Sequence, residues 1–248
     1  MEDYRFKRST YMNTYNVDIA RRGSLGGILR TFQEAGSLNM NLCKPSYAEL
    51  LDEGIVLMLS RMDIVVRESP MLEEDVEIQT WASFNDSPVV TKRCYEMYRK
   101  GVKIAAASSS WAMVDLEERK LLRTDTVDWS NYNSGPYEEL FSGKFRIPKT
   151  ASEKMQNIAE YRVELRDCDY NGHINNTYYL DILCNYIPEL LKNGEYFVDK
   201  ARIHYAKEAP LGETITIKFA KEADSYFFET YLSGGDKSLS CELGIARI

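Results

Sequence analysis

Residues 166–186 read RDCDYNGHINNTYYLDILCNY, and their spacing decides how the chain is built. Asp169, Asn171 and one of only two histidines, His173, crowd into a few positions ahead of an apolar run. In that run Ile174, Tyr178, Ile182 and Tyr186 recur at helical spacing beside Tyr179, Leu183 and Ile187, which predicts one buried helical face ending near Pro188. The three polar side chains are thus expected at a helix N-terminus, where unpaired N–H groups and partial positive charge favour an anion or a developing oxyanion. Asp and Asn are also ordinary cap and turn formers, so these residues alone do not separate chemistry from capping.

The same pattern occurs twice. YNVDIARRGSLGGILRTF, from Tyr15, lies over YRVELRDCDYNGHINNTY, from Tyr161, so that Tyr15, Val17, Gly26 and Ile28 meet Tyr161, Val163, Gly172 and Ile174. Farther on, RMDIVVRESPMLEEDVEI, from Arg61, matches ARIHYAKEAPLGETITIK, from Ala201, with Glu68 and Pro70 over Glu208 and Pro210.

Each copy reads as strand, long helix, strand–turn–strand and closing hairpin. In the first, Tyr4 to Asp18 is strand-like and Ser24 is a candidate cap for a helix with a stripe of Leu25, Ile28, Leu29 and Phe32. Lys44 to Leu59 reads as helical, 62–67 and 76–84 as strands, and 89–98 with 102–114 as a hairpin across Arg99-Lys100-Gly101. The small residues of AAASSSW in that hairpin would admit a helix close to the sheet. The second hairpin is 227–232 with 238–247, and periodicity is lost between Thr124 and Glu160. The expected architecture is α+β and duplicated, with units at 1–124 and 161–248 joined by a linker at 125–160.

Bulk properties narrow the function. The 248 residues are 44% hydrophobic and 28% charged, which suits a packed core. A net charge of -7 argues against nucleic-acid binding. Five cysteines without a C-x-x-C pair form neither a disulfide framework nor a zinc site, and no metal is expected. Cys168, beside Asp169, reads as a plain small residue. The start, MEDYRFKRSTYMN, lacks a signal-peptide core and no run is long enough to span a membrane, so a cytoplasmic protein without membrane contact is expected.

In this alignment the first copy has Gly23, Leu25 and Gly27 where the second has Asp169, Asn171 and His173. Simple caps would be needed in both copies, so the asymmetry points to chemistry in the second copy alone. Glu208, at the end of the strand Ala201 to Lys207, is the fourth candidate; its alternative reading is a surface residue before a proline turn.

The stretch DYNGHINNTYYLD, from Asp169, with IHYAKEAPLGETI, from Ile203, resembles the acyl-acyl carrier protein thioesterases. The resemblance covers nearly the whole chain. It implies a tandem (double) hotdog, each half a long central helix wrapped by an antiparallel sheet, that hydrolyses fatty acyl-acyl carrier protein without a cofactor. It places the functional Asp, Asn, His and Glu on Asp169, Asn171, His173 and Glu208. Plant members carry a Cys just after that Glu, and this chain has Ala209, which favours direct attack by water.

A thioester suits so spare a site, because its leaving thiol has a pKa near ~8.5 and departs with little acid help. The expected roles are general base for Glu208, oxyanion donors for the Gly172 backbone with Asn171 or His173, and orientation of the set for Asp169. Leu25, Ile28, Leu29 and Phe32, with Leu57 to Met62, are expected to line the acyl slot, although the same side chains are the obvious core. An acidic acyl carrier protein would need local basic surface, for which Arg21, Arg22, Lys92, Arg93, Lys200, Arg202 and Lys207 are the candidates. Acyl-coenzyme A hydrolysis, a dehydratase and a non-catalytic acyl-binding module are the competing readings. A tandem chain already contains the unit that single hotdogs make by pairing; a further homodimer is left open.

Overall fold

The computed structural model describes residues 4–84, 87–192 and 194–248. The first half runs β1 (Phe6–Tyr11), α1 (Leu25–Leu42), α2 (Tyr47–Asp52), β2 (Ile55–Val66), β3 (Asp75–Ser83), β4 (Val90–Arg99) and β5 (Val102–Asp115). After a connecting segment come α3 (Lys149–Lys154), β6 (Gln156–Arg162), α4 (Tyr178–Cys184), β7 (Tyr196–Tyr205), β8 (Thr214–Glu222), β9 (Ser225–Tyr231) and β10 (Lys237–Arg247). All ten strands form one antiparallel sheet in the order β1-β3-β4-β5-β2-β7-β10-β9-β8-β6. That order is a palindrome of the two halves, as the repeat predicts, and it carries the tandem hotdog that the resemblance implies.

The halves join where β2 pairs with β7, Arg61 opposite His204, Asp63 opposite Arg202 and Val65 opposite Lys200. Met62, Ile64, Ala201 and Ile203 alternate with these and are buried in a single core that spans both halves. Leu25, Ile28, Leu29 and Phe32 of α1 enter the same core, and Phe32 stacks on Tyr95 of β4 with ring centroids 5.4 Å apart. The small run of β5 serves both faces: Ala105 and Ala107 are buried in the core, while Ser108 accepts the Tyr137 hydroxyl of the connecting segment at 3.4 Å.

Helix α1 begins as its sequence dictates, with the Ser24 side chain accepting from the Gly27 N–H at 3.0 Å. It also meets α4 across the join. Arg30 Nη1 pairs with Asp181 at 2.5 Å and the guanidinium lies 5.1 Å from the centre of the Tyr178 ring. A Cβ on Gly26 would stand 2.2 Å from Asp181 Oδ1, so glycine is what lets the helices approach there.

Three elements differ from expectation. Residues 44–59 do not form one helix: α2 is a single capped stretch, held by the reciprocal Ser46 and Glu49 bonds, and Gly54 at φ 74° turns the chain into β2. The helix of the second half is short, because after Cys184 the backbone passes into i to i+3 turns such as Tyr186 N–H to Leu183 and Leu190 N–H to Ile187, around a Pro188 that has no N–H to give. The segment expected to be linker contains α3 and the start of β6, an edge strand whose Gln156, Asn157 and Glu160 are exposed and polar.

The hydrogen bonds also correct the alignment of the copies. Asp18 N–H bonds Arg22 C=O, Arg21 N–H bonds Asp18 C=O, Gly23 N–H bonds Pro70 C=O and Leu72 N–H bonds Arg21 C=O. In the second half the same bonds link Asp169 to His173, Gly172 to Asp169, Ile174 to Ala209 and Leu211 to Gly172. The twins of Asp169, Asn171, Gly172 and His173 are therefore Asp18, Ala20, Arg21 and Arg22, and the twin of Glu208 is Ser69. Both aspartates build the same turn, Asp18 Oδ1 accepting from Ala20 N–H and Asp169 Oδ1 from Asn171 N–H, each at 2.8 Å. Gly23, Leu25 and Gly27 lie farther along, where α1 starts.

Asp18→Ala and Asp169→Ala should each lower unfolding free energy by about 1 kcal/mol, the loss of one side-chain to backbone bond set. Gly26→Ala should cost about 1–3 kcal/mol by overpacking the helix pair. Urea unfolding of the three variants measures this, and an unchanged midpoint for Gly26→Ala would contradict the close approach of α1 and α4.

Candidate active site

Residues 168–174 leave the structure as a tight hairpin, closed by the Cys168 and Ile174 bridge and laid edge to edge on residues 209–211. Asp167, buried at the base, accepts from the Tyr161 hydroxyl and from Glu164 N–H, both at 2.8 Å. Gly172, at φ 82°, makes the turn sharp. So Asp169, Asn171 and His173 stand on a loop ahead of α4, not in its first turn, because the Asx turns of Asp169 and Asn175 delay the helix until Tyr178.

The loop brings His173 to Glu208, with Nε2 and Oε2 3.2 Å apart. Glu208 is held from behind. Ala206 and Lys207 N–H groups both donate to the Ser238 carbonyl at 2.8 and 3.1 Å, at an irregularity in the β10 ladder, and Ser238 Oγ meets the Tyr179 hydroxyl at 2.5 Å. Burial pushes the Tyr179 phenol up to about 12, Ser238 opposes that and the nearby Glu208 carboxylate adds to it. Tyr205 donates to the Asn176 carbonyl at 2.9 Å and ties β7 to the segment that enters α4.

Donors around the pair are few. The Gly172 N–H is engaged by Asp169 C=O at 3.0 Å, which corrects the expectation that it is free for an oxyanion. The His173 N–H and the exposed Asn171 carboxamide have no hydrogen-bond partner among the described residues. Cys168 is a thiol with its pKa raised by burial and then by Asp167 and Asp169, a poor nucleophile. Ala209 is buried, and its carbonyl receives Ile174 N–H at 3.0 Å.

The first half contributes a residue that no spacing in the sequence reports. Tyr47, at the start of α2, lies near Tyr170 and Asp169; its phenol is raised by burial first, then by Tyr170 and by the Asp169 charge. The hairpin of the first half instead carries Arg22, buried, donating to the Gly194 carbonyl. One loop scaffold thus bears Asn171, His173 and Glu208 in one copy and Ala20, Arg22 and Ser69 in the other.

Several of the basic residues expected to supply a docking surface are engaged within the chain. Arg93 is buried and donates to Asn39 Oδ1 at 2.8 Å, Arg202 donates to Gly143, Lys200 pairs with Glu242 and Lys207 with Asp236. Among the described residues no three His, Cys, Asp or Glu side chains are grouped to hold a metal, and no helix is long and apolar enough to cross a membrane.

Sequence profiles match this chain in two consecutive parts: the Acyl-ACP thioesterase N-terminal domain over residues 3–127 and the Acyl-ACP thioesterase C-terminal domain over residues 150–243. An oleoyl-acyl carrier protein thioesterase 2 of Arabidopsis thaliana, chloroplastic, is 25% identical over 206 residues, 76% of this chain and 56% of its own length. The chain spans about half the length of the curated relatives it matches. The crystal structure of an acyl-ACP thioesterase from Bacteroides thetaiotaomicron superposes with a TM-score of 0.86 at 21% identity over 98% of each chain. A 12:0-ACP thioesterase from Umbellularia californica gives 0.81 at 14% identity, over 100% of this chain and 99% of that one. These likenesses show a shared tandem fold. With its two halves matched in order over nearly their full length, the chain belongs to the acyl-ACP thioesterase family.

Proposed function

We propose that this chain hydrolyses the thioester of fatty acyl-acyl carrier protein, releasing free fatty acid and the carrier thiol, in the cytoplasm. The observation that carries the reading is the His173–Glu208 pair, 3.2 Å apart, present in one copy of a loop whose backbone both copies share. A scaffold that stands equally well with Ala20, Arg22 and Ser69 does not need Asn171, His173 and Glu208 for folding. Five free cysteines agree with a reducing compartment.

In this reading Glu208 is the general base. One carboxylate oxygen faces His173 Nε2, and the other accepts a proton from water as the water oxygen bonds to the thioester carbon. The resulting oxyanion is met by the Asn171 carboxamide and the His173 N–H, both without other partners. Collapse breaks the carbon–sulfur bond, and Glu208 returns the proton to the departing sulfur. Asp169 acts one step back, by turning the loop so that Asn171 and His173 point outward together. The second half is the catalytic unit, and the first half supplies the acyl slot beneath α1, with Leu25, Ile28, Leu29 and Phe32 on its wall.

Glu208→Gln and His173→Ala should each lower kcat by about 10²–10⁴ with KM little changed, because the first removes the base and the second removes the imidazole that holds the base in place. Free-acid release from acyl carrier protein thioesters and matched coenzyme A thioesters measures this, with faster turnover expected on the carrier protein. Near-normal turnover by Glu208→Gln would overturn the base assignment. Tight acyl binding without turnover by the unaltered chain would make it a binding module.

A further inference from the structure

The sheet has two different faces at the join. Met62, Ile64, Ala201 and Ile203 turn into the core, so Arg61, Asp63, Arg202 and His204 stand on the side away from α1 and α4. Residues 137–146 cross that side as a strap. Arg202 holds it down, its Nη2 donating to Gly143 C=O at 2.8 Å and its guanidinium lying 5.1 and 5.7 Å from the ring centres of Phe141 and Phe145. Lys92 sits 3.9 Å from the centre of the Tyr137 ring.

Between strap and sheet is a cavity of about 320 Å³, within the size range of small-molecule sites. Arg61, Lys92, Lys144, Arg146 and Arg202 line it, against only two carboxylates, Asp63 and Glu139. Asp63 already faces Arg202, 3.5 Å from Nε, and Arg61, Lys144 and Arg146 make no ion pair among the described residues. Arg61, Lys144, Arg146 and Arg202 against the two carboxylates leave a local excess of two positive charges in a chain whose net charge is -7. Such crowding in a partly enclosed, low-dielectric space is unfavourable until an anion enters. His204 lines the same cavity and senses its field: its pKa is lowered by burial, then by Arg61 and by Lys237 of β10.

We infer that this cavity is a binding site for a small phosphate-bearing anion, separate from the His173–Glu208 pair. Arg61 and Arg146 offer planar guanidinium forks that match phosphate oxygens, Lys144 adds a compact charge, and Ser108 and Ser110 bring hydroxyls to the same wall. The strap makes the site a product of the tandem arrangement, since β2, β7 and the connecting segment all contribute to it.

Calorimetric titration of the full chain with inorganic pyrophosphate, and separately with adenosine 3′,5′-bisphosphate, tests the site. Saturable binding of one anion per chain is expected, weakened at least about tenfold in the Lys144→Ser/Arg146→Ser double variant. The tighter probe tells whether the phosphate arrives free or on a nucleotide. The chain has two histidines, so their ring resonances give a local readout. A bound anion offsets Arg61 and Lys237 and moves the His204 titration upward. No saturable binding of either probe, binding that the double variant retains, or a His204 titration unmoved by bound anion would overturn the proposal.

Discussion

The short antiparallel ladder between β2 and β7 is the constraint on which the rest depends. Side chains alternate along a strand, so sliding β7 by one residue against β2 would send Arg202 and His204 into the core and Ala201 and Ile203 out, and sliding β2 would do the same to Arg61 and Asp63. Burying those charges without partners costs far more than the hydrophobic contacts return, which fixes the register. With the register fixed, both helices lie on one face of a continuous sheet, Gly26 admits Asp181 at the helix contact, and Tyr47 of the first half stands near Tyr170 and Asp169 on the hairpin of the second. The opposite face is left to the strap and its cations.

Duplication gives the two hairpins one backbone and two uses. The Asx turn, the left-handed residue and the bonds to the neighbouring strand end are common to both, so they are structural requirements of the loop. The side chains that differ are free to serve something else. In the first copy Arg22 fastens the halves through Gly194. In the second, the smaller imidazole at the same position leaves the hairpin open and turns to Glu208.

Much of this was legible in the sequence because it is local. The hairpin at Arg99-Lys100-Gly101, the Ser24 cap and the apolar stripe of α1 all follow from short-range chemistry, and the duplicated motif carried the double architecture. The loss of helix after Cys184 and the early start of β6 were hidden because i to i+3 turns and polar edge strands leave weak periodicity. The residue-level match of the copies was misread for a physical reason: glycines and isoleucines recur by chance at a false offset, whereas the hydrogen-bond ladder admits one pairing. Under that pairing the counterpart of Glu208 is Ser69 instead of Glu68, so no carboxylate recurs at this position, although Glu208 is itself exposed. Tyr47 lies outside any motif, since its partner Tyr170 is distant in the chain.

In the proposed mechanism, three side chains on a shared scaffold divide the catalytic copy from the silent one. The most direct measurement is single-turnover hydrolysis of an acyl carrier protein thioester by the triple variant Asn171→Ala/His173→Arg/Glu208→Ser, which gives the second copy the residues of the first. The expected variant melts like the parent and hydrolyses at least about a hundredfold more slowly. Parental turnover in a folded triple variant would contradict it.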